Sequence, residues 1–300
     1  MRISTAFIFQ RGANAIQDKS AQLSRSQEYI AAGKKVLSPS DNPAAAARIL
    51  DLNGFIDTAE QYQRNIGTLK SRLELQESTL DGVANVLQRT HELAVQGNND
   101  TIGPEGRAAI ADEIDVLNDQ LLSLANTRDA NDEYLFSGFQ RDAQPFTRAG
   151  ATFTYNGDHG QRELQIAADR RVADASNGFD AFMKIPASGG GFQDAFTTLQ
   201  KLSDDLRADN TVSTSIDDIQ LALDNTLRVR TKGGAGLNTV IGQQDVNEGF
   251  LVSMKARLSE AEDLDYANAL TQYQQDLLAL QAAQQSFVKI QNLSLFNYLQ

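Results

Sequence analysis

Cysteine and tryptophan are both absent from the 300 residues, histidine occurs twice and proline five times. Without cysteine there is no disulfide framework and no thiol chemistry. The two histidines, His91 and His159, lie far apart, and neither sits in an H-E-x-x-H or similar ligand spacing. His91, beside Glu92, reads as a solvated or packed helix residue, and His159 as a polar residue of a turn. Positive charge is also scarce: 27 Lys and Arg against 39 Asp and Glu leave a net charge of −12, with no run of four basic residues. Nucleic acid is therefore not an expected partner, because binding it needs a positive surface that displaces counterions.

Long apolar runs are missing too. No stretch approaches the ~18 residues of a transmembrane helix, so no membrane insertion is expected. Near the N-terminus only Ala6 to Phe9 is uninterrupted before Gln10 and Arg11, too short for the core of a secretory signal, so export would need another route. The serines lack a G-x-S-x-G setting, and Ser188-Gly189-Gly190-Gly191 lacks the lysine and hydroxyl of a phosphate loop. Asp204 with Asp205, and Asp217 with Asp218, are adjacent on helices, do not face one another and read as solvated charge. No catalytic, metal or cofactor residue is assigned, and an enzyme is not expected.

What the chain does have is helical periodicity at both ends. Tyr266, Leu270, Tyr273, Leu277, Leu280, Gln284 and Phe287 fall at alternating steps of four and three, the spacing of a heptad stripe. Phe9, Ala13, Ile16, Ser20, Leu23, Gln27 and Ile30 repeat that spacing with weaker members. Two such stripes at opposite ends predict that the termini pair, and their poverty in large apolar residues predicts ordering by partners.

Between them, Gly33 to Asn42 reads as a helix stop and turn, and Pro43 as a helix start with Asp41 or Asn42 as its cap. Helical spacing without proline then runs from Ala44 to about Gln96; Gly54, Gly67 and Gly82 inside it mark either close approach or bending. A loop over 97–104 leads to a second helix from Glu105 to about Asp129. Tyr134 to Gly138 reads as a strand. Ala151 to Tyr155 and Arg162 to Ala167 read as strands flanking the Asn156-Gly157 turn, a hairpin signal. Helices resume at Phe192 to Leu206 and from Ser215, with Gly233, Gly234 and Gly236 weakening the last before Leu237 to Leu258. The fold expected is mainly α: an elongated antiparallel helical rod built from both chain ends, with a β-rich central insertion, α+β overall. Its segments are 1–41, an assembly segment disordered in the monomer; 42–138, one half of the rod; 139–212, an outward-facing insertion with a helix near its end; 213–263, the returning half; and 264–300, the C-terminal assembly helix.

The run Gly33-Lys34-Lys35-Val36-Leu37-Ser38-Pro39-Ser40-Asp41-Asn42-Pro43-Ala44-Ala45 resembles a turn of the flagellin family. Tyr134-Leu135-Phe136-Ser137-Gly138, Tyr155-Asn156-Gly157-Asp158 and Ser294-Leu295-Phe296-Asn297-Tyr298-Leu299 are similar to other stretches of that family. Pro39 and Pro43 favour its hook-associated branch over filament flagellins, which have an alanine-rich turn there. The resemblance implies a structural subunit of the extracellular bacterial flagellum, exported unfolded by the flagellar type III apparatus and assembled through its terminal helices. Implied partners are hook-associated protein 1, flagellin, neighbouring copies of itself and a flagellar export chaperone that recognises 264–300. The assembly interface expected comprises Phe9, Ile16, Leu23, Ile30, Tyr266, Leu270, Tyr273, Leu277, Leu280, Phe287, Leu295, Phe296 and Leu299. Two other readings are a short filament flagellin and an intracellular coiled-coil scaffold.

Overall fold

A computed structural model describes the backbone of residues 2–296 and the side chains of residues 7–289. It contains helices α1 (Arg2–Ala32), α2 (Pro43–Gly97), α3 (Pro104–Ala125), α4 (Ala195–Arg207), α5 (Ser213–Glu262) and α6 (Tyr266–Phe296). Six short strands lie between α3 and α4: β1 (Phe146–Ala149), β2 (Thr152–Tyr155), β3 (Glu163–Ala167), β4 (Arg170–Ala173), β5 (Ile185–Pro186) and β6 (Phe192–Gln193). The fold is mainly α with a small antiparallel strand-rich insertion, as the sequence predicts. Two compact units form, one from residues 1–58 with 250–300 and the other from residues 59–249.

The larger unit is built on aromatic packing. Phe146 lies 5.2 Å from Phe182 and 5.4 Å from Phe196, centroid to centroid, while Phe153 stacks on Phe196 at 5.2 Å. Phe136 meets Phe182 edge-on at 5.3 Å. These rings sit in one core with Leu87 and Leu93 of α2, Ile114 and Leu121 of α3, and Leu199 and Leu202 of α4. A fully buried phenylalanine contributes about 1.5–3 kcal/mol relative to exposure, so a chain poor in aromatics places several where they stabilise most. A smaller cluster joins Ile66, Leu69 and Leu73 of α2 to Ile166 of β3 and Val240 of α5.

Several details differ from the sequence reading of this region. Tyr134 to Gly138 is a loop: Tyr134 N–H donates to Arg141 O at 2.8 Å and Leu135 N–H to Thr127 O at 3.0 Å. Leu135 and Phe136 are apolar because they enter the core, and only a lone bridge links Arg128 to Tyr134. The Asn156-Gly157 turn joins no hairpin among the described residues; β1 pairs with β2 across Gly150 and Ala151, and β3 with β4 across Ala168 and Asp169. Asn156 instead donates from its N–H to Pro145 O at 2.7 Å and from Nδ2 to Thr147 Oγ1 at 3.0 Å. Phe192 lies in β6, and α4 starts later because Asp194 Oδ1 accepts from Thr197 N–H at 2.7 Å as its N-cap. Helix α3 likewise ends at Ala125, where Asn126 turns to hold β1, its Nδ2 donating to Phe146 O and its Oδ1 accepting from Phe146 N–H. Asp218 is buried, its Oδ1 accepting from Ser188 N–H at 2.7 Å, and is not the solvated charge expected beside Asp217. Helix α5 runs unbroken through Gly233, Gly234 and Gly236.

The unit also buries a charge network. Arg72 of α2 is 5% exposed and pairs with Asp129, Glu133 and Asp174. Arg141 pairs with Glu133, and Arg162 with Asp174 at 2.6 Å. Three cations thus meet three carboxylates from a helix, a loop and the β3–β4 hairpin. Replacing Arg72 by Ala leaves Asp129 and Asp174 buried without it, and should cost about 3–5 kcal/mol in urea unfolding.

Tyr155 closes the loop that the Tyr134–Gly138 segment forms. Its single hydroxyl hydrogen is shared between Phe136 O at 3.0 Å and Asp158 O at 2.9 Å. Burial, followed by the nearby charges of Asp158 and Asp180, pushes its pKa up to about 12. Because the folded pKa lies above the unfolded value of about 10, the stabilisation is complete below pH 10 and fades as pH rises through about 12. Alkaline unfolding curves of the wild type and Tyr155→Phe should therefore converge over that interval.

Candidate assembly interface

Residues 1–58 and 250–300 form the unit that holds the predicted interface. Helix α1 stops at Gly33, whose φ of +68° suits glycine, and whose N–H returns to Tyr29 O at 2.9 Å. The following turn is organised by Asp41, which accepts from Leu37 N–H at 3.1 Å and Ser38 N–H at 2.9 Å. The Ser38 N–H is the foremost cause holding the Asp41 carboxyl below its ordinary pKa. Asn42 caps α2, its Oδ1 accepting from Ala45 N–H at 3.1 Å, which settles the choice between two neighbouring candidates. Pro43 then opens the helix.

The same turn is tied to the α5–α6 connection. Lys35 N–H donates to Glu262 O at 2.8 Å, Leu264 N–H donates to Gly33 O at 2.9 Å, and Lys34 pairs with Glu262. Asp265 starts α6 by accepting from Ala267 N–H at 3.0 Å and Asn268 N–H at 3.2 Å. The two terminal helices consequently begin their pairing from fixed ends.

Along the pair, Phe9 meets Phe287 edge-on, with centroids 5.5 Å apart. Gly12 allows this: a β-carbon there would stand 2.7 Å from Phe287 Cδ2. Ser26 Oγ donates to Asp276 Oδ2 at 2.7 Å, and Gln27 Nε2 to Tyr273 Oη at 3.3 Å. Gln272 Nε2 adds a bond to Asp276 Oδ1 at 3.0 Å. On α1 the half-buried positions include Phe9, Ile16, Leu23 and Ile30, the phase that the spacing predicts. On α6 they are Ala269, Tyr273, Ala279, Leu280, Ala283 and Phe287, with Asp276 buried among them.

Helix α6 is therefore turned relative to the expected stripe. Tyr273, Leu280 and Phe287 face the partner helix, but Tyr266, Leu270 and Leu277 are 51%, 48% and 37% exposed. The sequence reading favoured the larger side chains and passed over Asp276, whose polarity conceals its place on the inner face. The Ser26–Asp276 bond could have been sought as a polar pair within two heptad stripes. Of the remaining predicted residues, Leu295, Phe296 and Leu299 lie outside the described side chains.

This inner face is thin. Among the described residues no apolar side chain of α1 or α6 is fully buried. Apolar surface stays open, with Phe7 at 66%, Leu278 at 67% and Val288 at 51% exposure, alongside the outward Tyr266, Leu270 and Leu277. The arrangement can pair two helices and still offer an apolar edge to others; it holds no group of three or more His, Asp or Glu suited to a metal among the described residues.

Residues 3–141 match the family model described as the bacterial flagellin N-terminal helical region. Flagellar hook-associated protein 3 of Escherichia coli (strain K12) is 28% identical over 99% of this chain and 99% of that protein. The chain is similar to proteins of the flagellin family. A flagellin of Clostridium tyrobutyricum is 31% identical, but over 38% of this chain and 30% of that protein. The crystal structure of flagellar hook-associated protein 3 from Legionella pneumophila has the same fold, with a TM-score of 0.66 at 22% identity, covering 71% of this chain and 98% of that one. Similarity over the full length of a flagellar hook-associated protein 3, with the flagellin match at residues 3–141, gives this chain a structural role in the bacterial flagellum.

The polar pair at the centre of the two helices carries a test. Ser26→Ala removes a donor from the buried Asp276 carboxylate and should cost the pair about 1–2 kcal/mol. Amide exchange in the middle of α1 should accelerate by about tenfold, with the larger unit unchanged.

Proposed function

We propose that this subunit joins hook-associated protein 1 to the flagellin filament at the hook–filament junction. The observation that supports this reading most is the extent of similarity. It runs end to end with a hook-associated protein 3 and covers a minority of the chain with the flagellin. The protein reaches the junction by export through the flagellar type III apparatus and lies outside the cell.

The terminal helices supply the mechanism. Among the described residues neither helix has a fully buried apolar side chain, so the pair is held weakly, since helical stability in proteins comes mostly from burying one face against a neighbour. Ordering α1 and α6 only at the growing end keeps their apolar edge from polymerising early. Phe9, Ile16, Leu23, Ile30, Tyr273, Leu280 and Phe287 then close the pair within one subunit. Tyr266, Leu270 and Leu277 meet neighbouring copies, hook-associated protein 1 or flagellin. Before assembly the export chaperone covers the segment 264–300. Head-to-tail contacts of this sort do not close on themselves, so differences between neighbouring subunits set the order of the junction.

Deleting Phe287–Gln300 should leave a soluble protein with the larger unit folded, and should abolish its joining to the filament and hence motility. Normal filament growth with that truncation would count against the mechanism. Long filaments grown from the purified full chain alone would instead favour a short filament flagellin, and confinement to the cytoplasm a scaffold.

A further inference from the structure

Gly233, Gly234 and Gly236 interrupt the helical pattern of α5 without breaking the helix, and two of them line a cavity of about 350 Å³. Its walls are α2 at Leu73 and Gln76, α5 around Lys232 to Thr239, and all four residues of β4, with no residue of β3. Strand β4 pairs only with β3 among the described residues, so the cavity borders its unpaired edge. A β-carbon at position 233 would collide with the Gln76 amide, and one at 236 would reach Val172 and Leu73 at 3.8 and 3.9 Å. Each glycine costs the helix about 1 kcal/mol relative to alanine, and what it leaves is space.

The lining is cationic in an acidic protein. Arg170, Arg171 and Lys232 border the cavity, and no carboxylate does. None of the three has an ion pair among the described residues, whereas Arg72, Arg141, Arg162 and Arg230 of the same unit all do. Lys184 and Arg228, also without ion pairs, stand in an adjoining cleft that shares Gln161, Ser176 and Lys232 and holds Asp180 and Asp224. The other cations of the unit without ion pairs, Arg64, Lys70 and Lys201, line neither space.

A second observation points the same way. Gln76 is 1% exposed, and its Oε1 accepts from Ser176 N–H at 2.6 Å, but its Nε2 donates to no described group. Arg170 Nη1 donates to Gln243 Oε1 at 3.3 Å, but the Gln76 amide donor stands beside Arg171 and Lys232, whose side chains likewise have no described acceptor, so the three donors can take an incoming one.

We propose that this cavity is a docking site for an acidic peptide segment of a partner protein. The segment lies extended along β4 and sets a carboxylate among Arg171, Lys232 and Gln76 Nε2. The open strand edge favours a peptide over an acidic polysaccharide, because its main-chain donors and acceptors match those of another strand. Arg170 and Lys184 extend the positive field toward either end of the segment.

The test uses the full chain and a fluorescein-labelled Glu-Ala-Glu-Ala-Glu peptide, with Lys-Ala-Lys-Ala-Lys as control, read by fluorescence anisotropy. Saturable, salt-sensitive binding of the acidic peptide alone is expected. The double change Arg171→Gln with Lys232→Gln should weaken it by about tenfold or more. Gly236→Leu, which fills the cavity without altering charge, should weaken it comparably, while Lys70→Gln with Lys201→Gln should leave it unchanged. Circular dichroism confirms that each variant is folded. Equal binding of the two peptides would overturn the proposal, as would wild-type affinity in the Arg171/Lys232 double variant or equal weakening by the Lys70/Lys201 variant. Tighter binding of polygalacturonate than of the peptide would assign the cavity to polysaccharide and overturn it as well.

Discussion

Helix α1 and helix α6 come from opposite ends of the chain and meet on a face made of half-buried side chains around one buried carboxylate. The interaction at its centre is the hydrogen bond from Ser26 to Asp276. It fixes how the helices are aligned at some cost in stability, since an apolar pair in its place would stabilise more and specify less. The edge-on Phe9–Phe287 contact, made possible by Gly12, sets the pair at one end, and the Gly33–Leu264 and Lys35–Glu262 bonds set it at the other. What remains outward is apolar, which suits a subunit whose work is to be joined by others.

The larger unit solves a different problem. Its short strands form only two-stranded pairs, and a two-stranded hairpin is marginal in water. They are held by the helices: Asn126 bonds β1 through both its amide atoms, Phe153 stacks on Phe196 of α4, and Ile166 packs beside Leu69 and Val240. The Arg72 network adds direction, because three cations and three carboxylates can pair with one another in few arrangements. An insertion so anchored is an extension of the helical core. The cationic cavity beside β4 lies on this unit, separate in kind from the apolar edge of the terminal helices.

Much of this organisation was legible in the residues. Long helices followed from uninterrupted apolar spacing, the start of α2 from Pro43, and the pairing of the chain ends from two stripes of like period. Strands β2 and β3 were readable because alternation is a local property of the side chains. The segment Tyr134–Gly138 was misread because burial and strand formation select the same residue types, and Asn156-Gly157 because a turn motif does not reveal which segments it joins. Three glycines in α5 weakened a helix on paper that tertiary contacts sustain.

The sequence by itself determined that the chain is mainly helical, that its ends carry matching stripes, and that it bears neither thiol nor metal-binding motif; each depends on residue type and spacing alone. Tertiary structure alone decided the rotation of α6, which turns Leu270 and Leu277 outward and Asp276 inward, because a buried carboxylate is tolerated only where a donor such as Ser26 stands opposite. It also decided that Gln76, Arg171 and Lys232, far apart along the chain, share one cavity. Spacing fixes which face of a helix is apolar, but only packing against a particular neighbour fixes which part of that face is covered.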